Sequence, residues 1–307
     1  MEHLHQYLAE EIAEDHAAGQ LSRREALRRL AFMGFSAVSA SALLAACGGD
    51  DDGDEAQREQ TGAPTTTASG PPTTRGASTP VATQDITYPG TGGVTLRGVF
   101  AKAATAKGAV LVIHENQGIS QFIRSFTGRL GGDGYSALAL DLLSFEGGTA
   151  AFTDSATIGP ALNRATSRAV DDMKSSLDEL GRREPSAKLG VTGFCFGGGM
   201  VWELLKAKEN RLAAGIPCYG TVGENPDFTG LRAAVFGIYA QNDDRVNRTR
   251  DAARSALERA NVTHELKEYP GVGHAFIRNI DDPSNPAYTQ AQTAYSDMLS
   301  WFGRYLS

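Results

Sequence analysis

The chain has 307 residues, 41% of them hydrophobic, and a formal net charge of −7. That is enough apolar material for a large buried core, and the acidic balance argues against a nucleic-acid partner, which needs a basic face opposite phosphate. The three cysteines, Cys47, Cys195 and Cys218, are too few for a disulfide scaffold and form no C-x-x-C pair to hold zinc.

Met1–Gln20 is polar and reads as a short amphipathic helix without a partner segment of its own. Ser22-Arg23-Arg24-Glu25-Ala26-Leu27 follows, with Arg28 and Arg29 behind it, and then Ala31–Ala46 is an uncharged run of small and apolar residues. That run falls short of the roughly 20 residues needed to span a bilayer and suits a signal-peptide core. The paired arginines resemble a twin-arginine export signal, and Leu44-Ala45-Ala46-Cys47 resembles a bacterial lipobox, whose cysteine is lipidated after cleavage. The resemblance implies a leader over 1–46, an exported chain and a membrane tether through Cys47. Residues 47–83 pass through G-G-D-D-D-G-D-E into a Thr/Pro/Ser/Gly-rich stretch. Such a composition buries too little apolar surface to offset its ordering entropy, so it predicts a disordered spacer.

From Gln84 the texture changes, and 84–307 reads as one folded domain. Asp85–Tyr88 and Val94–Ala101, separated by Pro89-Gly90-Thr91-Gly92-Gly93, form a predicted hairpin. Ala109–His114 is a continuous apolar run, the pattern of a strand buried on both faces. Phe122–Leu130 reads as helix, Tyr135–Leu140 as a second buried strand, and Pro160–Leu180 as a helix on the spacing of Ala165, Ala169, Met173 and Leu177. Leu189–Thr192 is the next strand, with a helix from Gly197 to about Lys208. Ala213–Cys218, Ala233–Ala240 and His264–Tyr269 follow as strands, with helices over Arg248–Ala260 and Tyr288–Tyr305. This alternation predicts an α/β fold, a mostly parallel sheet with helices on both faces.

Between strand and helix lies Gly193-Phe194-Cys195-Phe196-Gly197, the G-x-nucleophile-x-G spacing of a strand-to-helix elbow. Glycines on either side are required because the two backbones approach closely there. A thiol at a helix N-terminus is a candidate nucleophile, favoured as thiolate by the backbone dipole. It needs a base, and the base an orienting acceptor. In such sheets these sit at the carboxyl ends of strands. His274, in the glycine-flanked loop after the last strand, is the candidate base. Asp243 is the candidate acceptor in preference to Asp244, which would then pack outward with Arg245. Cys195, Asp243 and His274 follow the nucleophile–acid–histidine order of the α/β-hydrolase fold. Cys218 reads as a packed small hydrophobe.

Together with His114-Glu115-Asn116 and Gly273-His274-Ala275-Phe276-Ile277-Arg278, these residues resemble the dienelactone hydrolase family, also called carboxymethylenebutenolidases, over roughly Asp85–Ser307. The resemblance implies an α/β-hydrolase fold and an ester or lactone hydrolase with a thioester acyl-enzyme. It implies that Glu115 assists thiol ionisation and that Arg278 receives a substrate carboxylate. Backbone N–H groups of Asn116 and Phe196 would form the oxyanion hole. A second substrate arginine has no motif to mark it; Arg164 and Arg168 are the available candidates. Neither cofactor nor metal is implied. The expected partner is a small ester or lactone, the membrane is met only through the lipid anchor, and a monomer is expected. A generalist esterase or thioesterase with the same triad, or a non-catalytic binding module on the same fold, are the competing readings.

Overall fold

The structure, a computed structural model, describes residues 2–17, 21–47 and 79–307. Most of the spacer expected over 47–83 lies outside the described residues. Three helices come first: α1 (Glu2–Ala17), α2 (Arg23–Phe32) and α3 (Ala37–Cys47). Ser22 caps α2 by accepting from the Glu25 N–H, and α3, 11 residues long, carries the apolar run and ends at Cys47. Among the described residues no helix is long and apolar enough to cross a membrane.

The domain that follows alternates strand and helix. Its strands are β1 (Gln84–Pro89), β2 (Thr95–Ala101), β3 (Gly108–Ile113), β4 (Tyr135–Leu140), β5 (Leu189–Phe194), β6 (Leu212–Cys218), β7 (Ala234–Asn242) and β8 (His264–Gly273). Its helices are α4 (Gln121–Gly132), α5 (Ile158–Arg183), α6 (Phe196–Lys206), α7 (Asp244–Arg259) and α8 (Tyr288–Tyr305). Among the described residues the strands form one sheet in the order β1-β2-β4-β3-β5-β6-β7-β8. The β1–β2 and β2–β4 pairs are antiparallel; every pair from β4 to β8 is parallel.

The apolar runs are explained by cover on both faces. Along β3, Leu111 and Ile113 join the core layer containing Leu162, Met173 and Leu177 of α5 and Met200 and Leu204 of α6. Val110 and Val112 face the other layer, with Phe126 and Leu130 of α4 and Met298 and Phe302 of α8. Since side chains alternate across a strand, a residue at every position must then be apolar.

Three boundaries differ from the sequence pattern in ways that matter for the site. The α7 helix starts at Asp244 rather than Arg248, because the Asp243 side chain accepts the Val246 N–H and nucleates the first turn early. The β8 strand continues past Tyr269 to Gly273, where Gly273 pairs with Asn242 across a register shift in β7. This extension delivers position 274 directly from the end of a strand. The third difference is α1, expected from its residues to have no partner segment. It packs on α2, α3, α5 and α6, burying Tyr7, Leu8, Ile12 and Ala13 in the same core layer as α5.

Candidate active site

The turn from β5 to α6 is made at a single residue. Cys195 takes φ 58° and ψ −120°, a conformation L-residues adopt at a cost of roughly 1–3 kcal/mol. The Cys195 N–H donates to the Cys218 carbonyl and its carbonyl accepts from the Gly199 N–H, both at 3.1 Å. The flanking glycines are steric necessities: a Cβ at Gly193 would lie 2.4 Å from the Gly197 carbonyl oxygen, and one at Gly197 2.4 Å from that of Ile113. The thiol is thereby held at the carboxyl end of the sheet. Phe196, the first residue of α6, has one of the N–H groups that a helix leaves without an internal partner.

His274 leaves the end of β8 and turns its Nδ1 to Asp243 Oδ2, at 2.6 Å. Asp243 is buried and the His274 side chain nearly so, and Asp243 keeps its other oxygen on the Val246 N–H at 3.2 Å. Burial would lower the pKa of the imidazole, but the Asp243 carboxylate outweighs it and raises it above the ordinary histidine value. Asp243 moves the opposite way: burial resists ionisation, and His274 with Arg245 and the Val246 N–H hold the carboxyl below its usual range. His274 Nε2 is buried without an N or O partner among the described residues. A ring nitrogen of His274, Cys195 Sγ and a Glu11 carboxylate oxygen all lie within 4.8 Å of one another.

Beyond β3, Glu115 is buried and pairs with Arg278 Nε at 2.7 Å. Burial raises the Glu115 pKa, with the guanidinium opposing. The segment is anchored by His114, whose Nδ1 donates to the Glu115 carbonyl at 2.7 Å while its Nε2 accepts from the Leu142 N–H at 3.0 Å. The sequence marked neither that role nor Tyr219. The Tyr219 ring sits edge-on to His274 at 5.3 Å between centroids, in a backbone conformation with φ 37° that only the fold reveals.

Several sequence expectations are altered. Arg164 pairs with Glu146 and Arg168 with Asp172 of its own helix, so both candidates for the second arginine are engaged elsewhere. Arg245, expected to pack outward with Asp244, is instead 7% exposed and turned toward α1. Cys218 is fully buried against Thr192 and the Ile216 carbonyl, and both Cys195 and Cys218 are free thiols. The thiol of Cys195 is 1% exposed. Burial first, then the charges of Glu11, Glu115 and Asp15, push its pKa well up, against the helix-dipole expectation. The sequence offered no metal-ligand cluster, yet Glu11, Cys195 and His274, and likewise Glu14, Asp243 and His274, bring potential ligand atoms within 4.8 Å. Both sets exist only because α1 supplies a carboxylate.

The family model described as "Dienelactone hydrolase family" matches residues 96–306. A provisionally named carboxymethylenebutenolidase of Salmonella typhi is 31% identical over 223 residues, covering 67% of this chain and 82% of that one. One from Escherichia coli K12 is 30% identical over 210 residues, covering 64% and 76%. Among solved structures, a provisionally named dienelactone hydrolase of Klebsiella pneumoniae superposes with a TM-score of 0.63 at 27% identity, over 73% of this chain and 98% of that one.

Proposed function

Because this chain belongs to the dienelactone hydrolase family, hydrolases of esters and lactones, we propose that it cleaves its substrate through Cys195, His274 and Asp243 with a thioester intermediate. The observation that supports this most is the His274 ring, fixed by Asp243 at 2.6 Å and with a ring nitrogen within 4.8 Å of Cys195 Sγ.

In this reading His274 takes the proton from Cys195 Sγ as the sulfur attacks the acyl carbon. A free thiol with pKa about 8.5 is only a few per cent ionised at neutral pH, so the base is required. The Phe196 and Asn116 N–H groups receive the developing oxyanion; each such donor is worth on the order of 10²-fold or more in rate. Collapse expels the alkoxide, which takes the proton from His274. Water, deprotonated by the same ring, then attacks the thioester, releasing the carboxylic acid and the thiol. Asp243 holds the ring in the tautomer that presents Nε2 to the sulfur. Glu115 is a second proton acceptor, freed when a substrate carboxylate draws Arg278 away.

The same proposal places the domain outside the cytoplasmic membrane as a monomer, tethered by a lipid on Cys47 after a leader over 1–46 is removed. Its substrate is a small ester or lactone, and no cofactor is invoked. The test is hydrolysis of a panel of lactones, 4-nitrophenyl esters and thioesters by wild type and Cys195→Ala. Loss of roughly 10³-fold or more in kcat on substitution supports the assignment; turnover that survives substitution overturns it.

A further inference from the structure

The helix α1 lays one acidic face into this site. Tyr7, Glu11, Glu14 and Asp15 are spaced i, i+4, i+7 and i+8, so they share one side of the helix. Glu14 grips Arg245 with both oxygens, at 2.6 and 2.7 Å, and its Oε2 stands 3.8 Å from His274 Nδ1. Asp15 accepts from Asn116 Nδ2 at 3.2 Å. Glu11 goes deepest: it is 1% exposed, with the Tyr7 hydroxyl and the Cys195 thiol as its hydrogen-bonding neighbours. It is 3.9 Å from Arg245 and within 4.8 Å of both the Cys195 sulfur and the His274 ring. Its surroundings push its pKa up to about 7, burial being the main cause. A carboxylate beside both thiol and imidazole lies close to where the acid released by ester hydrolysis must form.

Arg245 is the other half of the observation. It lies two residues after Asp243 and stacks 4.6 Å over the Tyr7 ring. Among the described residues, both carboxylates within 4.0 Å of it, Glu11 and Glu14, come from α1. Arg278 has Glu115 within the hydrolase domain, whereas the ion pairs of Arg245 depend on the N-terminal helix. A planar guanidinium gripping a carboxylate with two parallel bonds is how arginine selects a carboxylate ligand.

We propose that α1 is a built-in occupant of the substrate site, its acidic face standing where an acid-bearing acyl substrate binds, and that Arg245 reads that substrate's anionic group once α1 is displaced. The proposal rests on Cys195 and His274 being the reacting pair. It makes the uncleaved chain latent while α1 is docked, removal of the leader that carries α1 being what frees the site, and it supplies a second anion receptor from α7 rather than from the α5 positions considered in the sequence.

The test uses the full chain. Ile12→Asp with Glu14→Lys undocks α1 without altering the hydrolase domain, since Ile12 is buried in the core contact and Glu14 holds the ion pair. Three readouts follow: alkylation of Cys195 by iodoacetamide, and KM for two 4-nitrophenyl esters, one neutral and one carrying a free carboxylate. Undocking accelerates alkylation about tenfold or more and lowers KM for the acid-bearing ester by a similar factor, the scale of one charged hydrogen bond. Adding Arg245→Gln to the undocked chain then raises the ratio of acid-ester to neutral-ester KM about tenfold. Alkylation and KM unchanged on undocking overturn the occupancy of the site by α1. A KM ratio indifferent to Arg245→Gln overturns its role as receptor. Faster alkylation with neither ester hydrolysed overturns the hydrolase reading, together with the receptor role that rests on it, while upholding the occupancy.

Discussion

Glu115 at the end of β3 and Arg278 in the turn after His274 form an ion pair of 2.7 Å between residues 163 apart in sequence. Both act electrostatically on Cys195, Glu115 raising its pKa and Arg278 lowering it. Removing one partner of a buried pair leaves the other charge unpaired, which costs about 3–5 kcal/mol, whereas replacing both costs far less. Arg278→Ala is therefore expected to lower unfolding stability by several kcal/mol, and Arg278→Met with Glu115→Gln to recover most of it. Urea unfolding of wild type and the two variants measures this. If Arg278→Ala is as stable as wild type, the pair is not closed in solution.

The His274–Asp243 contact fixes a pH dependence. The imidazole titrates above its ordinary value and, in the proposed mechanism, must be neutral to accept the thiol proton. The acid limb of kcat/KM is thus expected above the ordinary histidine value, with rate falling as pH drops through it. Asp243→Asn removes the cause of the upward shift, so the limb moves to lower pH while the plateau drops on the order of 10³-fold or more. The stability linkage runs the other way. The raised His274 pKa contributes stability below the unfolded histidine value that is lost as pH rises through the folded one. The lowered Asp243 pKa contributes stability above the unfolded aspartate value that is lost as pH falls through the folded one. The pair is strongest between those limits, and Asp243→Asn should flatten both flanks of the Tm–pH curve.

Two glycines are expected to respond in opposite directions to alanine. At Gly197 a Cβ would meet backbone oxygens of Ile113 and His114 at 2.4 and 2.5 Å, which cannot yield without moving a central strand. Gly197→Ala should cost at least about 3 kcal/mol, the upper end for overpacking. At Gly181 in the last turns of α5 nothing lies within 4 Å, so alanine brings only helix propensity, a gain of up to about 1 kcal/mol. Thermal unfolding of the two proteins should therefore bracket wild type.

His114 holds two backbone groups that lie beneath the site, the Glu115 carbonyl and the Leu142 N–H. His114→Leu fills the volume but leaves both unpaired, at roughly 1–3 kcal/mol each. The expected outcome is a stability loss of about 2–5 kcal/mol, read by denaturant midpoint. A midpoint equal to wild type would contradict that placement.

The parts of the molecule legible in the sequence are those with a local signature. The strands β3, β4 and β5 announce themselves as unbroken apolar runs because both faces are covered, and Gly193 and Gly197 mark the elbow because only glycine fits there. Asp243 was separable from Asp244 in the structure by its capping bond to Val246, a contact three residues long. What escaped was set by contacts with no local pattern. Glu14 and Arg245 are 231 residues apart, and Asp15 and Asn116 are 101 apart. Spacing alone therefore showed α1 as a helix without a partner. The same holds for Tyr219, whose place beside His274 follows from a positive φ at the end of β6.

The central claim is that an acyl group rests on Cys195 during turnover. Rapid acid quench of wild type with an activated ester, followed by peptide mass analysis, reads it directly. The account predicts the acyl mass on the peptide containing Cys195, absent in Cys195→Ala and accumulating in His274→Ala, where hydrolysis of the thioester lacks its base. Acyl mass on another residue, or steady turnover of the ester by Cys195→Ala at the wild-type rate, would contradict it.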